Sequence, residues 1–423
     1  MNRREFGRLV ALTGSAALVR SSVLEGLTSA PLQAPPADTP ESYWQDVRAR
    51  FLVPRDVAFL NAANLCPASL PAIEAISRNV REYEPDPSPE FRSALMARGR
   101  EEVRKALAQS LRVTPEEVVI TRNTTEGNNV VSSGLDLRSG DEVVVWEDNH
   151  PSNLNAWRVK AQRFGFSVVA VPVPPSHPGA DGYVELFTKA FTPRTRLVAI
   201  THVSSNSGDV LPAADICAAA RSRGILSLVD GAQAFGVIDL DLSRIKPDFY
   251  TGSLSKWPCG PKEKGLLFVN KDVHDRIWPS VIGVYPGAVG ISQKLEGMGQ
   301  RDDARLVAFA ESIRFRESIG RPVIDERLRQ LSGYLITELK KLDGVQVYTD
   351  PAPDRSANIV VFKPGTLDPR RFATALGTNE GVVATVRAGQ DRPGLRVSPH
   401  LYNTMDEMTR LVVATKKYLA SGV

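Results

Sequence analysis

The segment DFYTGSLSKWPCGPKEKGLLFV, Asp248–Val269, sets a single lysine between two strand-like runs. DFYTG and GLLFV are apolar enough to be buried strands, and the interval is crowded with small and turn-forming residues. An isolated lysine is most often a solvated surface residue. Lys256 instead leaves a buried strand for a neighbourhood of serines and glycines. An amine placed there can form a Schiff base with an aldehyde cofactor. One lysine does not decide between the two readings, so the strands upstream of it must.

Working outward, VVI (118–120), EVVVW (142–146), SVVAVPV (167–173), RLVAIT (196–201), ILSLVD (225–230) and DFYTG (248–252) are short apolar runs rich in β-branched residues. Helix-like stretches such as NLNAWRVKAQRFG and PAADICAAARSRG separate them. This alternation predicts an α/β fold with a doubly wound, mostly parallel sheet. Past about Arg305 the pattern changes. LVAFAESIRFRESIG should break at Arg321-Pro322, DERLRQLSGYLITELKKL follows, and then come the short strands VQVYT, ANIVVFKP, GVVATVR and LRVSP and a last helix, MDEMTRLVVATKKYL. The expected division is a large domain over 57–304 and a smaller α+β domain over 305–423.

Composition removes several classes of function. The 423 residues are 42% hydrophobic and 24% charged, ordinary for a globular protein. The net charge is +4, and no Lys/Arg stripe interleaved with aromatics marks a nucleic-acid surface. Cys66, Cys217 and Cys259 are widely spaced and form neither a disulfide framework nor a zinc spacing. No HxxxH pair offers a metal site, and no apolar run is long enough to span a membrane. The N-terminus, MNRREFGRLVALTGSAALVR, pairs Arg3-Arg4 with Phe6 ahead of a short apolar stretch. That is the pattern of a twin-arginine export signal over residues 1–30, which implies a periplasmic or exported protein. Residues 31–56, with Pro31, Pro35, Pro36 and Pro40, are expected to be a linker and N-terminal arm.

Ligands of an open α/β sheet sit beyond the carboxyl ends of its strands. VVIT delivers Asn123, Thr124 and Thr125 at a helix start, where free amides and two hydroxyls can cradle a phosphate. EVVVW delivers His150, RLVAIT delivers Ser204, Ser205 and Asn206, and ILSLVD delivers Asp230 and then Gln233. An acid ending an apolar strand is costly unless it meets a cation. A dinucleotide fold would need GxGxxG after its first strand, which is absent. Phosphate donors, a flat-faced histidine, a buried acid and a lysine are together what pyridoxal 5'-phosphate requires.

NTTEG, EDNHPSNLNAW, DGAQAFG, SLSKWPCGPK and GLRVSPHLYNT occur in that order. With them the chain resembles the class V aminotransferase group of fold-type-I pyridoxal-phosphate enzymes, on the branch of the cysteine desulfurases and isopenicillin N epimerase-like proteins. The resemblance runs from about Val57 to the end. It implies that Lys256 is the Schiff-base lysine and acid/base at the substrate α-carbon, that Asp230 pairs with the ring nitrogen, and that His150 stacks on the ring. It further implies that Gln233 bonds the ring hydroxyl, that Thr124, Thr125, Ser205, Ser253 and Ser255 line the cofactor, and that Arg396, with Asn64, holds the substrate. A homodimer with its site near the subunit interface is also implied.

The chain departs from the family pattern at Ser255, where histidine is frequent, at Ser205, where asparagine is frequent, and at Gly299-Gln300 in place of Gly-Thr. GVVATVRAGQDRPGLR has no cysteine before Arg396, which disfavours a persulfide-forming desulfurase. The expected substrate is an amino acid or an amine-bearing precursor. Transamination is taken first, as the group's commonest label, with epimerisation, elimination and a non-catalytic binding protein as alternatives.

Overall fold

The computed structural model describes residues 32–36, 38–86, 88–387 and 392–423. The export signal expected over residues 1–30 lies outside them.

Thirteen strands and their helices build three sheets among the described residues. In chain order the strands are β1 (Ala58–Phe59), β2 (Val118–Thr121), β3 (Glu142–Trp146), β4 (Ser167–Val171), β5 (Thr195–Thr201), β6 (Leu226–Asp230), β7 (Phe249–Ser253), β8 (Gly265–Val269), β9 (Val345–Val347), β10 (Val360–Pro364), β11 (Val382–Val383), β12 (Thr385–Arg387) and β13 (Gly394–Val397). The seven-stranded sheet has the order β2-β8-β7-β6-β5-β3-β4. Its neighbours are parallel except at β8, which runs antiparallel to both β2 and β7. Strands buried on both faces must be apolar throughout. Accordingly β2, β3, β6, β7 and β8 are buried at every position, whereas β4, on the edge, is partly exposed.

The order reverses beside β3: β4 lies on one side and β5, β6 and β7 build out on the other. Such a switch point opens a crevice at the strand ends. Helices cover both faces, and two apolar clusters follow from them, one around Trp146, Ile200 and Tyr250 and one around Val145, Trp157 and Leu228. A third cluster lies on the antiparallel sheet β12-β13-β10-β9, packed by helices Arg321–Lys340, Pro369–Asn379 and Met405–Ser421.

Several elements differ from the sequence reading. The SVVAVPV run ends at Val171, because Pro172 supplies no donor to continue the ladder. GVVATVR is two strands in two sheets, β11 beside β1 and β12 beside β13. The long helical run breaks at Gly320, where φ is 90°, and Pro322 sits in the first turn of the next helix, where a missing N–H costs nothing. The arm is folded rather than a linker from Glu41 onward. Helix Glu41–Arg48 buries Tyr43, Trp44 and Val47, and Arg327 bonds Glu41 at 2.7 and 2.9 Å while lying 5.0 Å over the Trp44 ring. Tyr43, Trp44, Val47 and Phe51 join the first cluster, and Ala58–Phe59 then pairs with Val382–Val383 in a two-stranded sheet whose Ala58 joins the third.

Candidate active site

At the switch point a cavity of about 400 Å³ is lined by Asn64, Thr124, Thr125, His150, Ser205, Asp230, Gln233, Ser253, Ser255, Lys256 and Arg396. Every residue given a cofactor or substrate role by the resemblance therefore lines one cavity, whereas Ser204 does not and donates to Asp148 Oδ2 at 2.6 Å. They arrive from the carboxyl ends of β2, β3, β5, β6 and β7, from the loop after β1 and from β13.

Helix Thr124–Gly134 is capped by Asn123, whose side chain accepts from the Glu126 amide at 2.9 Å. Its first-turn amides have no acceptor within the helix, and the buried Thr124 Oγ1 has no partner. Ser253 and Ser255 hydroxyls face each other at 3.2 Å. An unpartnered hydroxyl at a helix start beside two serines fits a bound phosphate. Gly127 keeps this helix close to the sheet, since a Cβ there would lie 2.9 Å from Thr251 Cγ2.

Asp230 ends β6, and its donors are neutral rather than the cation expected. Asn128 Nδ2 donates to Oδ2 at 2.8 Å and the Ala232 amide to Oδ1 at 3.0 Å. Thr251 Oγ1 in turn donates to Asn128 Oδ1 at 2.9 Å, which fixes the Asn128 amide. Asn128 escaped the sequence reading: in NTTEGNN it looks like helix polarity, and only its spacing of one turn from Thr124 hinted that it faces the sheet.

Gln233 Nε2 donates to Ala63 O at 2.7 Å and its Oε1 accepts from Trp257 Nε1 at 2.8 Å, which leaves one amide hydrogen for a ligand. Asn206 Nδ2 is committed to Asp148, so the side chain open at this position is that of Ser205. His150 caps helix Pro151–Phe164, with Nδ1 2.8 Å from Ser152 Oγ. Partial desolvation, reinforced by the Lys256 and Arg396 charges and opposed by Asp230, holds its pKa below the usual imidazole value. Burial pulls the Lys256 ammonium down to about 8; Asp230 raises it and Arg396 lowers it further. An amine with that pKa is part neutral near pH 7, as a nucleophile toward an aldehyde must be.

Arg396 is buried, with Nη1 donating to Ser205 O at 2.7 Å, Nη2 donating to Asn61 Oδ1 at 3.2 Å, and Nε without a partner. Burial, then the Arg387 charge, lowers its pKa to about 10. No carboxylate among the described residues pairs with it. Asn61, also held by Thr385 Oγ1 at 2.7 Å, was not singled out from the sequence because it sits in a short loop without a motif.

The model of the family described as "Aminotransferase class-V" matches residues 73–411. The chain belongs to the class V aminotransferase family. This class V chain is 31% identical to an isopenicillin N epimerase of Amycolatopsis lactamdurans, over 88% of its own length and 98% of that protein. It is 28% identical to a probable cysteine desulfurase of Methanothermobacter thermautotrophicus, over 87% and 96%. Among solved structures it resembles the cystine C–S lyase C-DES in complex with cysteine persulfide, with TM-score 0.78, 25% identity and coverage of 85% and 97%. The apo cysteine desulfurase of Thermococcus onnurineus matches with TM-score 0.80 and 23% identity, over 90% and 98%. The fold is that of the fold-type-I pyridoxal-phosphate enzymes, as the resemblance to the family implied.

The class V cofactor fits this cavity on the cavity's own chemistry. The Thr124 hydroxyl suits a phosphate, the unshared lone pairs of Asp230 suit a protonated ring nitrogen, and the Lys256 amine suits an aldehyde.

Proposed function

We propose that this class V protein is a pyridoxal-phosphate enzyme that holds an amino acid by its carboxylate at Arg396 and moves the α-proton with Lys256. The observation that carries the reading is Arg396, a buried guanidinium that pairs with no carboxylate among the described residues and opens onto the cavity holding Lys256. A buried charge without a counter-ion is costly, and a substrate carboxylate supplies the missing partner.

The cofactor, when bound, delocalises the electron pair left at the substrate α-carbon. The chain's own residues do the rest. Thr124, Thr125 and Ser253 hold the phosphate at the helix start. Asp230, oriented by Asn128, holds a proton opposite its carboxylate, and His150 covers the cavity along its flank. Lys256 Nζ would accept the α-proton from one face, inversion would then require a proton delivered to the opposite face by a second donor, and Arg396 would hold the carboxylate. Of the reactions open to such a site, epimerisation is placed ahead of transamination, and likeness to isopenicillin N epimerases over almost their whole length supports that order. Incubation with single amino acids in deuterium oxide tests it. Incorporation of α-deuterium with loss of optical purity is expected. Stoichiometric conversion of the cofactor to its amine form would replace epimerisation by transamination, and neither event would remove the enzymatic reading.

We also propose a homodimer exported by the twin-arginine route. Trp278, Ile282, Val284 and Tyr285 are 65%, 88%, 81% and 54% exposed, and their segment borders a groove beside Asn123 and Thr125. An apolar segment so exposed fits a subunit contact. A monomer in sedimentation, or unchanged export after Arg3→Lys with Arg4→Lys, would overturn the respective statement.

A further inference from the structure

Behind the Lys256 turn lie three buried groups that the proposed chemistry does not use. The Sγ atoms of Cys66 and Cys259 and a ring nitrogen of His400 all lie within 4.8 Å of one another. Cys259 Sγ is 3.5 Å from His400 Nε2, and all three residues are at most 1% exposed.

Such spacing first suggests a metal, but the histidine is oriented against one. His400 Nδ1 accepts from the Leu401 amide at 2.6 Å. The ring proton is therefore on Nε2, which donates to Trp257 O at 2.8 Å and faces the Cys259 sulfur. A metal-bound histidine offers a lone pair to the metal and a proton to its outer partner, the reverse of this arrangement. With that proton given to Trp257 O at 2.8 Å, Cys259 Sγ at 3.5 Å meets a ring nitrogen that has no lone pair to offer a metal.

The surroundings agree. Burial raises the Cys259 thiol, but its hydrogen bond with Cys66 and the nearby His400 and Arg316 more than reverse this and hold it below an ordinary thiol. Cys66 is driven the other way, by burial and then by Cys259. Lys262, Tyr402 and Lys256 are further titratable neighbours of the pair. The backbone is committed as well. Cys259 adopts φ 56°, uncommon for a residue with a Cβ, with its amide on Lys256 O at 2.8 Å. The Cys66 amide donates to Ser255 O at 3.0 Å. The two thiols thus join the loop after β1, which carries Asn61 and Asn64, to the turn that carries Lys256.

We propose that Cys66 and Cys259 are an oxidative modification site, a thiol pair that closes to a reversible disulfide and staples the substrate-side loop to the Lys256 turn. With hydrogen peroxide as oxidant, Cys259 thiolate attacks one oxygen, the O–O bond breaks, and hydroxide leaves and is protonated to water. The resulting sulfenic acid is attacked by Cys66 sulfur. An S–S bond forms, the S–O bond breaks, and the Cys66 proton leaves with the departing hydroxide as a second water. Two thiols lose two electrons and two protons, and one peroxide becomes two waters. Asn64 and Leu65, which precede Cys66 in the chain, line the cavity, and the two thiols are buried behind them.

The test uses the full chain loaded with pyridoxal phosphate. It is treated with peroxide, denatured, alkylated and mapped by mass spectrometry. Two of the three thiols should be lost together with the mass of two hydrogens. A Cys66–Cys259 linked peptide should appear, Cys217 should stay alkylatable, and dithiothreitol should reverse the change. In Cys66→Ser, dimedone should trap a sulfenic acid at Cys259, whereas Cys66 of Cys259→Ser should remain a thiol. Survival of both thiols under peroxide that oxidises free cysteine, equal loss of Cys217, or one tightly held zinc per purified chain would each overturn the proposal.

Discussion

Arg104 and Arg396 are both buried guanidinium groups near strand ends, but they have been given opposite surroundings. Arg104 Nη1 lies 2.5 Å from Glu296 Oε1, its Nε lies 2.9 Å from Glu101 Oε2, and Nη1 also donates to Val118 O at 2.6 Å. Glu296 in turn accepts from the Ile120 amide at 2.7 Å. Burial opposes the Arg104 charge, but its hydrogen bonds with Glu296 and Glu101 more than offset that, and its pKa is raised. Arg396 has a carbonyl and an amide oxygen, one unpartnered nitrogen, and a lowered pKa. A charge that the chain satisfies by itself fastens β2 and its neighbours. A charge left short of a counter-ion among the described residues is suited to a ligand that brings one.

The largest effect expected from this contrast is at Lys256, which belongs wholly to the cavity. Lys256→Ala should lower turnover by about 10²–10⁴-fold, the usual worth of a positioned acid/base, and abolish the absorbance of lysine-linked cofactor. Its thermal midpoint without cofactor should not fall. A variant that keeps a borohydride-reducible link to the cofactor would show that another lysine holds it.

Glu296→Ala sharpens the other side. Removing one partner of a buried pair costs about 3–5 kcal/mol, because the guanidinium is left without compensation. The loss should appear in chemical denaturation, with the ratio of kcat/KM between amino acids and their decarboxylated amines unchanged in the folded fraction. A changed ratio with unchanged stability would mean that Arg104 and Glu296 belong to the site.

Arg396→Lys should do the opposite. Stability should hold, while amino-acid recognition falls by about 2–5 kcal/mol, as when a buried interfacial charge pair is broken. An ammonium cannot reproduce the two-pronged grip of a guanidinium on a carboxylate. Amines without a carboxylate should lose far less. Equal losses for acids and amines would make Arg396 scaffold, like Arg104.

The two arginines also mark how far the sequence could be read. The parallel sheet, the site at its strand ends and the set Thr124, His150, Asp230, Lys256 were legible, because strand ends are local features and each brings its residue there directly. Arg396 was legible only through the likeness of GLRVSPHLYNT to a family motif, since nothing in LRVSP itself distinguishes a ligand-binding arginine from a structural one. The groups that orient the site were not legible. Asn128 and Asn61 matter through contacts across 102 and 335 positions of chain, with Asp230 and Arg396 respectively. The pairing of Ala58–Phe59 with Val382–Val383 was hidden for the same reason, a two-residue strand being too short to show any period.

The smallest expected effect is a shift in a pH midpoint, and it tests whether the cavity's charges act as one set. An amine attacks an aldehyde only when neutral. In cofactor-depleted protein the rate of aldehyde capture should therefore rise about tenfold per pH unit below the Lys256 pKa, about 8, and flatten above it. Burial sets that value low, Asp230 pulls it up by favouring the ammonium, and Arg396 pushes it down. Asp230→Asn removes the upward pull on Lys256, so the midpoint should move to lower pH, and capture of pyridoxal at pH 7 should become faster than in the native protein. Arg396→Gln removes a downward push and should move the midpoint the other way. Arg396→Lys keeps the charge and should leave it in place, although it loses the carboxylate. Stopped-flow absorbance of pyridoxal capture across pH 6–10 reads all three variants. A midpoint that ignores Asp230 would mean that its carboxylate is screened from Lys256, and that burial and Arg396 set the low amine pKa without it.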